Sequence, residues 1–133
     1  TRLGRAFIDN DVVLATRTGQ TAREIAAAVG AEALHIHEAE ALVFALSAPA
    51  PAVVAAAAAA PLEPFAATAL RAHEVIYLRA TPGVLATRLA RAPDDHHRPF
   101  VADDPRAVLD AQFVARDERY RALATLVVDA GVE

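Results

Sequence analysis

Phe7-Ile8-Asp9-Asn10-Asp11 is the stretch that decides how this chain is read. An apolar pair runs straight into two carboxylates spaced i, i+2, and an amphipathic run follows. A short strand ending on acids sets them at the carboxyl edge of a sheet, where open α/β proteins place their ligands. Two carboxylates there can hold a cation or accept hydrogen bonds from a substrate hydroxyl. A plainer reading has Asp11 only capping the next helix and Asp9 only ending the strand.

Working outward, residues 6–8 read as a buried strand and 11–16 as the start of a helix that Thr18-Gly19 breaks. Upstream, residues 1–6 read as the tail of a helix with Gly4 at its C-cap. Downstream, Thr21 opens a helix over 22–29, with Glu24 three residues on as the second half of a capping box, and Gly30 stops it. A longer helix over 32–46 carries Leu34, Leu42, Val43 and Leu46 at roughly helical spacing. Residues 47–51 form a loop. Alanine propensity favours helix over 55–60, but Pro49, Pro51 and Pro61 leave little room for one, so 52–56 is predicted as a buried strand. Residues 64–72 form a helix with proline in its first turn.

Val75-Ile76-Tyr77-Leu78 is the clearest strand, β-branched and aromatic, ending at Arg79. Thr81-Pro82 opens a helix to about residue 91. The polar stretch 92–104, rich in His and Asp, is too long for a simple connection and reads as a lid. Pro105 opens a long helix to about 124, and 126–129 is a last strand. Strands alternate with helices throughout, which predicts an α/β fold: a parallel sheet with helices on both faces.

The 133 residues suit one domain or a piece of one. The chain is 55% apolar, but much of that is alanine, so the core is thinner than the figure suggests. Cys, Met and Trp are absent, which removes disulfides, thiolate nucleophiles and thiolate metal ligands and fits a reducing, cytoplasmic setting. A net charge of -4 argues against a nucleic-acid surface. No leader pattern is visible. The apolar run 48–60 is interrupted by prolines and too short to span a bilayer, so no membrane partner is expected. A chain that opens on the tail of a helix, without an initiator Met, is expected to lack the beginning of its domain.

Residues able to do chemistry fall at strand ends or in the expected lid. Asp9 and Asp11 follow the first strand and Ala57-Ala58-Ala59 the second. Arg91 and Arg98 flank and occupy the long loop, and Arg116 precedes Tyr120 by four residues on the last helix. Singly, each arginine is most simply a solvated helix face. Together with sheet-edge acids they fit an anionic substrate or phosphoryl transfer, where guanidinium groups stabilise moving charge. His35 and His37 alternate and His96-His97 are adjacent. Residues at i, i+2 on a helix do not face each other, and no Cys completes a zinc site, so metal binding by histidine is not expected.

In order and spacing these pieces resemble the shikimate kinases, small P-loop kinases that phosphorylate shikimate with ATP and magnesium. The likeness covers nearly the whole chain. Phe7-Ile8-Asp9-Asn10-Asp11 resembles the family's Phe-Ile-Asp-x-Asp. Arg17-Thr18-Gly19 followed by Ala22-Arg23-Glu24-Ile25 is similar to its Arg-Thr-Gly and x-x-Glu-Ile helix. Val75-Ile76-Tyr77-Leu78 resembles a later strand and Arg98-Pro99-Phe100 the lid's Arg-Pro-Leu. Arg116-Asp117-Glu118-Arg119-Tyr120 resembles Arg-x-x-x-Tyr, and Val127-Val128-Asp129 the closing strand.

The resemblance implies one P-loop kinase domain over 1–133, with its lid at about 92–104, working as a monomer when full length. It implies that Asp9 lies near the magnesium and that Asp11 accepts hydrogen bonds from substrate hydroxyls and helps activate the attacking one. Arg116 would clamp the substrate carboxylate, a task that suits a planar fork of donors. Arg98 would reach the phosphates from the lid and Arg91 would flank the nucleotide.

Three departures stand out. The P-loop Gly-x-x-x-x-Gly-Lys-[Ser/Thr], whose N–H groups and lysine cradle the phosphates, does not occur here. In the family it precedes the segment seen first, so a truncation is expected. It would remove a central strand, leave two sheet edges unpaired and make the fragment inactive and poorly stable. The family's Gly-Gly-Gly falls on Ala57-Ala58-Ala59, which places methyl groups and a φ restriction where the substrate ring approaches, Ala58 included. The family's arginine in Phe-Arg-x-x-Glu falls on His35, with Glu38 kept. Histidine cannot make the bidentate carboxylate contact, a loss of roughly 1.5–3 kcal/mol. Two other functions therefore stay open: a non-catalytic kinase-like binding or regulatory domain, and a kinase for a different small hydroxylated acid.

Overall fold

The computed structural model describes residues 2–49, 51–92 and 104–131. They divide into two compact units, Thr1–Leu70 and Arg71–Glu133.

The first unit runs β1 (Ala6–Asp9), α1 (Asn10–Thr18), α2 (Ala22–Val29), α3 (Ala31–Leu46), β2 (Ala52–Ala55), a 3-10 turn (Ala60–Leu62) and α4 (Pro64–Leu70). β1 and β2 pair in parallel, from Ala6 opposite Ala52 to Asp9 opposite Ala55. Gly19 ends α1 in the left-handed region, with φ 72°, and donates its N–H to the Ala15 carbonyl. The Thr18 hydroxyl donates to the Leu14 carbonyl at 2.7 Å, so Arg17-Thr18-Gly19 works here as a helix stop. The capping box of α2 forms as its sequence predicts. Thr21 N–H donates to Glu24 Oε2 at 2.8 Å, and Glu24 N–H donates to Thr21 Oγ1 at 3.2 Å. Gly30 closes α2 and leads directly into α3, which therefore starts one residue earlier than predicted.

Leu14, Ala22, Ile25, Leu34 and Ala41 form the core of this unit, with Val13 and Ala26 packed against it. α3 also buries Ala39, Leu42 and Ala45. The small alanines let neighbouring helices approach closely, which is how so alanine-rich a segment builds a dry interior.

The second unit runs β3 (Ile76–Arg79), α5 (Pro82–Arg91), α6 (Pro105–Leu123) and β4 (Leu126–Asp129). β3 pairs in parallel with β4, from Ile76 opposite Leu126 to Arg79 opposite Asp129. β3 is shifted by one residue from the predicted strand. Val75 N–H goes to the Thr125 hydroxyl instead of the ladder, while the Arg79 carbonyl accepts from Ala130. Asp104 caps α6 through the Ala107 N–H.

The predicted sheet thus appears among the described residues as two parallel pairs, β1–β2 and β3–β4. In each pair the strands have no third neighbour among those residues. Of the predicted lid, residues 93–103 lie outside the described residues, and Arg98 with them.

Candidate functional site

Asp9 is the last residue of β1 and the N-cap of α1, with extended backbone at φ -98° and ψ 124°. Its Oδ1 accepts the Asp11 N–H at 2.9 Å. The plainer sequence reading had the two acids the other way round: Asp9 caps, and Asp11 stands in the first turn of α1. The cause is local. A cap needs extended backbone, which Asp9 has because it ends a strand. Both carboxylates are half-buried at the carboxyl end of a parallel strand and at a helix N-terminus, where the peptide dipoles favour negative charge.

Asn10, between them, is buried to 1% exposure. Its Nδ2 donates to the Glu38 carbonyl and its Oδ1 accepts the Ala57 N–H, both at 3.1 Å. The strand end, α3 and the loop after β2 are therefore tied together. His35 is half-buried on α3, three residues before Glu38 and on the same face. Ala57 is half-buried, Ala58 exposed and Ala59 buried. No described residue other than glycine has a positive φ. The three alanines therefore adopt ordinary backbone angles, and the φ restriction raised by their sequence is not strained here.

In the second unit, Arg116 is half-buried on the α6 face that also carries Phe113, Asp117 and Tyr120. Asp117 accepts from Arg79 Nε at 2.8 Å and from the Tyr77 hydroxyl at 2.9 Å, and Arg121 Nε lies 3.3 Å away. The Arg79 contact holds the Asp117 carboxyl below the ordinary carboxylate range. Burial, with help from the Asp117 contact, pushes the Tyr77 hydroxyl up to about 12. Tyr77 and Tyr120 meet edge to face at 5.2 Å, and the Arg79 guanidinium lies over the Phe113 ring at 4.9 Å. This cluster sets the rotation of α6 against β3. It leaves Arg116 with no ion-pair or hydrogen-bond partner among the described residues. Arg91 ends α5 and is exposed.

The structure therefore brings Asp9, Asp11, His35 and the 57–59 loop into one unit through the Asn10 side chain. Arg91 and Arg116 lie in the other unit. A cleft of about 430 Å³ between α1, α2 and α3 is lined by Arg17, Gln20, His37 and Glu40 among others, and includes none of these candidates. No group of three or more His, Cys, Asp or Glu side chains could hold a metal among the described residues. Asp9 and Asp11 supply two carboxylates at one strand end, a donor set able to take part in holding a cation.

Two features escaped the sequence. Asn10 is a single polar residue after a strand, and its partners lie 28 and 47 residues away. Asp117 sits one residue after the candidate Arg116. An acid followed by an arginine four residues on suggests a solvated helix pair, and only the bonds to β3 give it a different role.

Compared with known proteins, the chain matches the shikimate kinase family over residues 1–133. It is 37% identical over 131 residues to shikimate kinase 2 of Yersinia enterocolitica, covering 96% of this chain and 74% of that protein. It is 35% identical over 134 residues to shikimate kinase of Burkholderia thailandensis, covering 98% and 70%. A solved shikimate kinase from Acinetobacter baumannii in complex with shikimate superposes with TM-score 0.85 at 26% identity, over 98% of this chain and 74% of that one. The shikimate kinase from Bacteroides thetaiotaomicron has the same fold, with TM-score 0.79 at 22% identity. The chain belongs to the shikimate kinase family, small-molecule kinases that use ATP: it is shikimate-kinase-like, with a P-loop NTPase-like α/β fold.

Proposed function

We propose that the kinase domain to which these 133 residues belong transfers the γ-phosphoryl group of ATP to a hydroxyl of shikimate, with Mg²⁺ and with its lid at about 92–104. The observation that carries the reading is the Asp9–Asp11 turn. One carboxylate is spent on capping α1, and the two acids are thereby held side by side at the end of a parallel strand. The relative from Acinetobacter baumannii holds shikimate, which supports the choice of substrate.

In this reading Asp11 accepts hydrogen bonds from the substrate hydroxyls and draws the proton from the attacking one. Asp9 keeps lone pairs beyond the one that caps α1, and would hold Mg²⁺, which neutralises charge on the transferring phosphate. Arg116 clamps the substrate carboxylate, and its lack of a partner among the described residues supports that task. Arg98 reaches the phosphates and Arg91 flanks the nucleotide. The 133 residues contain no P-loop motif, and their 13 basic residues are all arginine. The phosphate cradle is thus not among them, and the assay requires the complete gene product. The same reading takes the enzyme as a cytoplasmic monomer acting on small molecules alone.

One observation favours a second substrate. His35, where the family has arginine, cannot fork onto a carboxylate. Initial rates of ADP release with shikimate and a panel of related hydroxy acids decide the matter. Shikimate should give the largest kcat/KM. Faster turnover of another acid would change the substrate and keep the chemistry. No release with any acid, from protein that binds ATP, would sink the phosphotransferase reading.

A further inference from the structure

Asn10 is buried, makes two hydrogen bonds through its side chain, and touches two of the three segments on which the proposed substrate contacts depend while belonging to the third. The Ala57 N–H it holds lies beyond the end of β2, so the strand ladder does not use it. The Glu38 carbonyl it binds belongs to the helix turn that carries His35. Only a side chain with one donor and one acceptor at amide spacing can bridge both groups from this position. An aliphatic replacement of the same size leaves the half-buried Ala57 N–H without this partner, while the Glu38 carbonyl, inside α3, keeps its helical bond.

We propose that Asn10 is a positioning residue that sets the separation between the acidic pair and the 57–59 loop, and through it the grip of this half of the site on the substrate. The inference rests on the phosphotransferase reading above. Where the family's loop is Gly-Gly-Gly, this chain has three alanines, and a side-chain bond from the acidic segment holds the first of them in place. Asn10 touches no reacting atom. It acts through Asp11, His35 and Ala57.

The test compares Asn10→Leu, Asn10→Asp and Ile25→Ala in the complete gene product. Ile25 is a core residue whose loss lowers the melting temperature without a bond to the loop. Amide hydrogen exchange at Ala57 is read by NMR, and KM for shikimate and kcat by ADP release. Asn10→Leu should expose the Ala57 amide and raise KM about tenfold, as expected for loss of the hydrogen bond that holds the loop, with a smaller change in kcat. Asn10→Asp keeps the acceptor for Ala57 N–H and should keep that amide protected, with a smaller rise in KM. Ile25→Ala should leave both readouts unchanged. A folded Asn10→Leu protein with wild-type Ala57 exchange or wild-type KM would overturn the proposal. So would a rise in KM for Ile25→Ala equal to that for Asn10→Leu. If Asn10→Leu does not fold, loss of Ala57 protection in Asn10→Asp overturns it. If the wild-type enzyme does not turn over shikimate, the substrate reading fails on its own, and Ala57 exchange still decides whether the clamp exists.

Discussion

In Thr1–Leu70 the side chains of Leu14, Ile25, Leu34 and Leu42 are all sealed from solvent, whereas in Arg71–Glu133 neither α5 nor α6 buries a single residue and β4 is exposed throughout. The first unit is held by helix-on-helix packing around alanines and leucines. In the second, the β3–β4 ladder is joined to α6 by a polar cluster, Tyr77, Arg79, Asp117 and Arg121. The comparison shows two ways of positioning a side chain. Asp11 is placed by backbone that a dry core supports, and Arg116 by a charged neighbour that anchors its helix. Apolar burial is insensitive to pH, while a carboxylate network is not.

The largest effect should come from the chemistry itself. Asp11→Asn should lower turnover by about 10²- to 10⁴-fold, the range for a lost general base, while ATP binding stays mostly intact. Normal turnover in that variant would take Asp11 out of the mechanism and move the chemistry away from the packed unit.

The next test weighs the two interiors. Leu42→Ala removes a side chain with 0% exposure and should cost about 2–5 kcal/mol in denaturant unfolding. Leu78→Ala, at 67% exposure on β3, should stay within about 0.5 kcal/mol. A loss for Leu78 as large as that for Leu42 would mean that the β3–β4 face is covered in solution and would break the contrast.

The smallest effect is in titration. These 133 residues hold two tyrosines, so Tyr120→Phe leaves Tyr77 as the only phenol among them. Its phenolate absorbance should appear at about 12, and adding Asp117→Asn should lower that value part of the way, because burial is the larger cause. The folded value lies above the ordinary one of about 10, so the stability linked to Tyr77 is complete below 10 and fades as pH rises through about 12. Asp117 works in the opposite direction. Its folded value is depressed, so its contribution is present above the ordinary carboxylate range and is lost as pH falls through the lower folded value. An unperturbed Tyr77 titration would remove the cluster as the anchor of α6.

Much of the fold could be read residue by residue. Gly19 and Gly30 end helices, Thr21 and Glu24 form their box, Pro64, Pro82 and Pro105 open helices, and all four strands sit within a residue of their predicted places. These are short-range effects, decided by φ preferences, missing N–H groups and side chains that reach three or four residues. The site was legible to a lesser degree. Asp9 and Asp11 announced themselves by following an apolar pair, but which of them caps α1 depends on where the strand's extended backbone stops.

Local chemistry alone determined the order of strands and helices in this protein, their caps, and the placing of two acids at the end of a parallel strand, because each depends on neighbours within one turn of chain. Only the tertiary structure decided that Asn10 joins Glu38 to Ala57, that Asp117 serves β3 before Arg116, and that the strands pair as β1–β2 and β3–β4. Those contacts span tens of residues, and a buried amide or carboxylate takes its partner from whatever packing brings within hydrogen-bond reach.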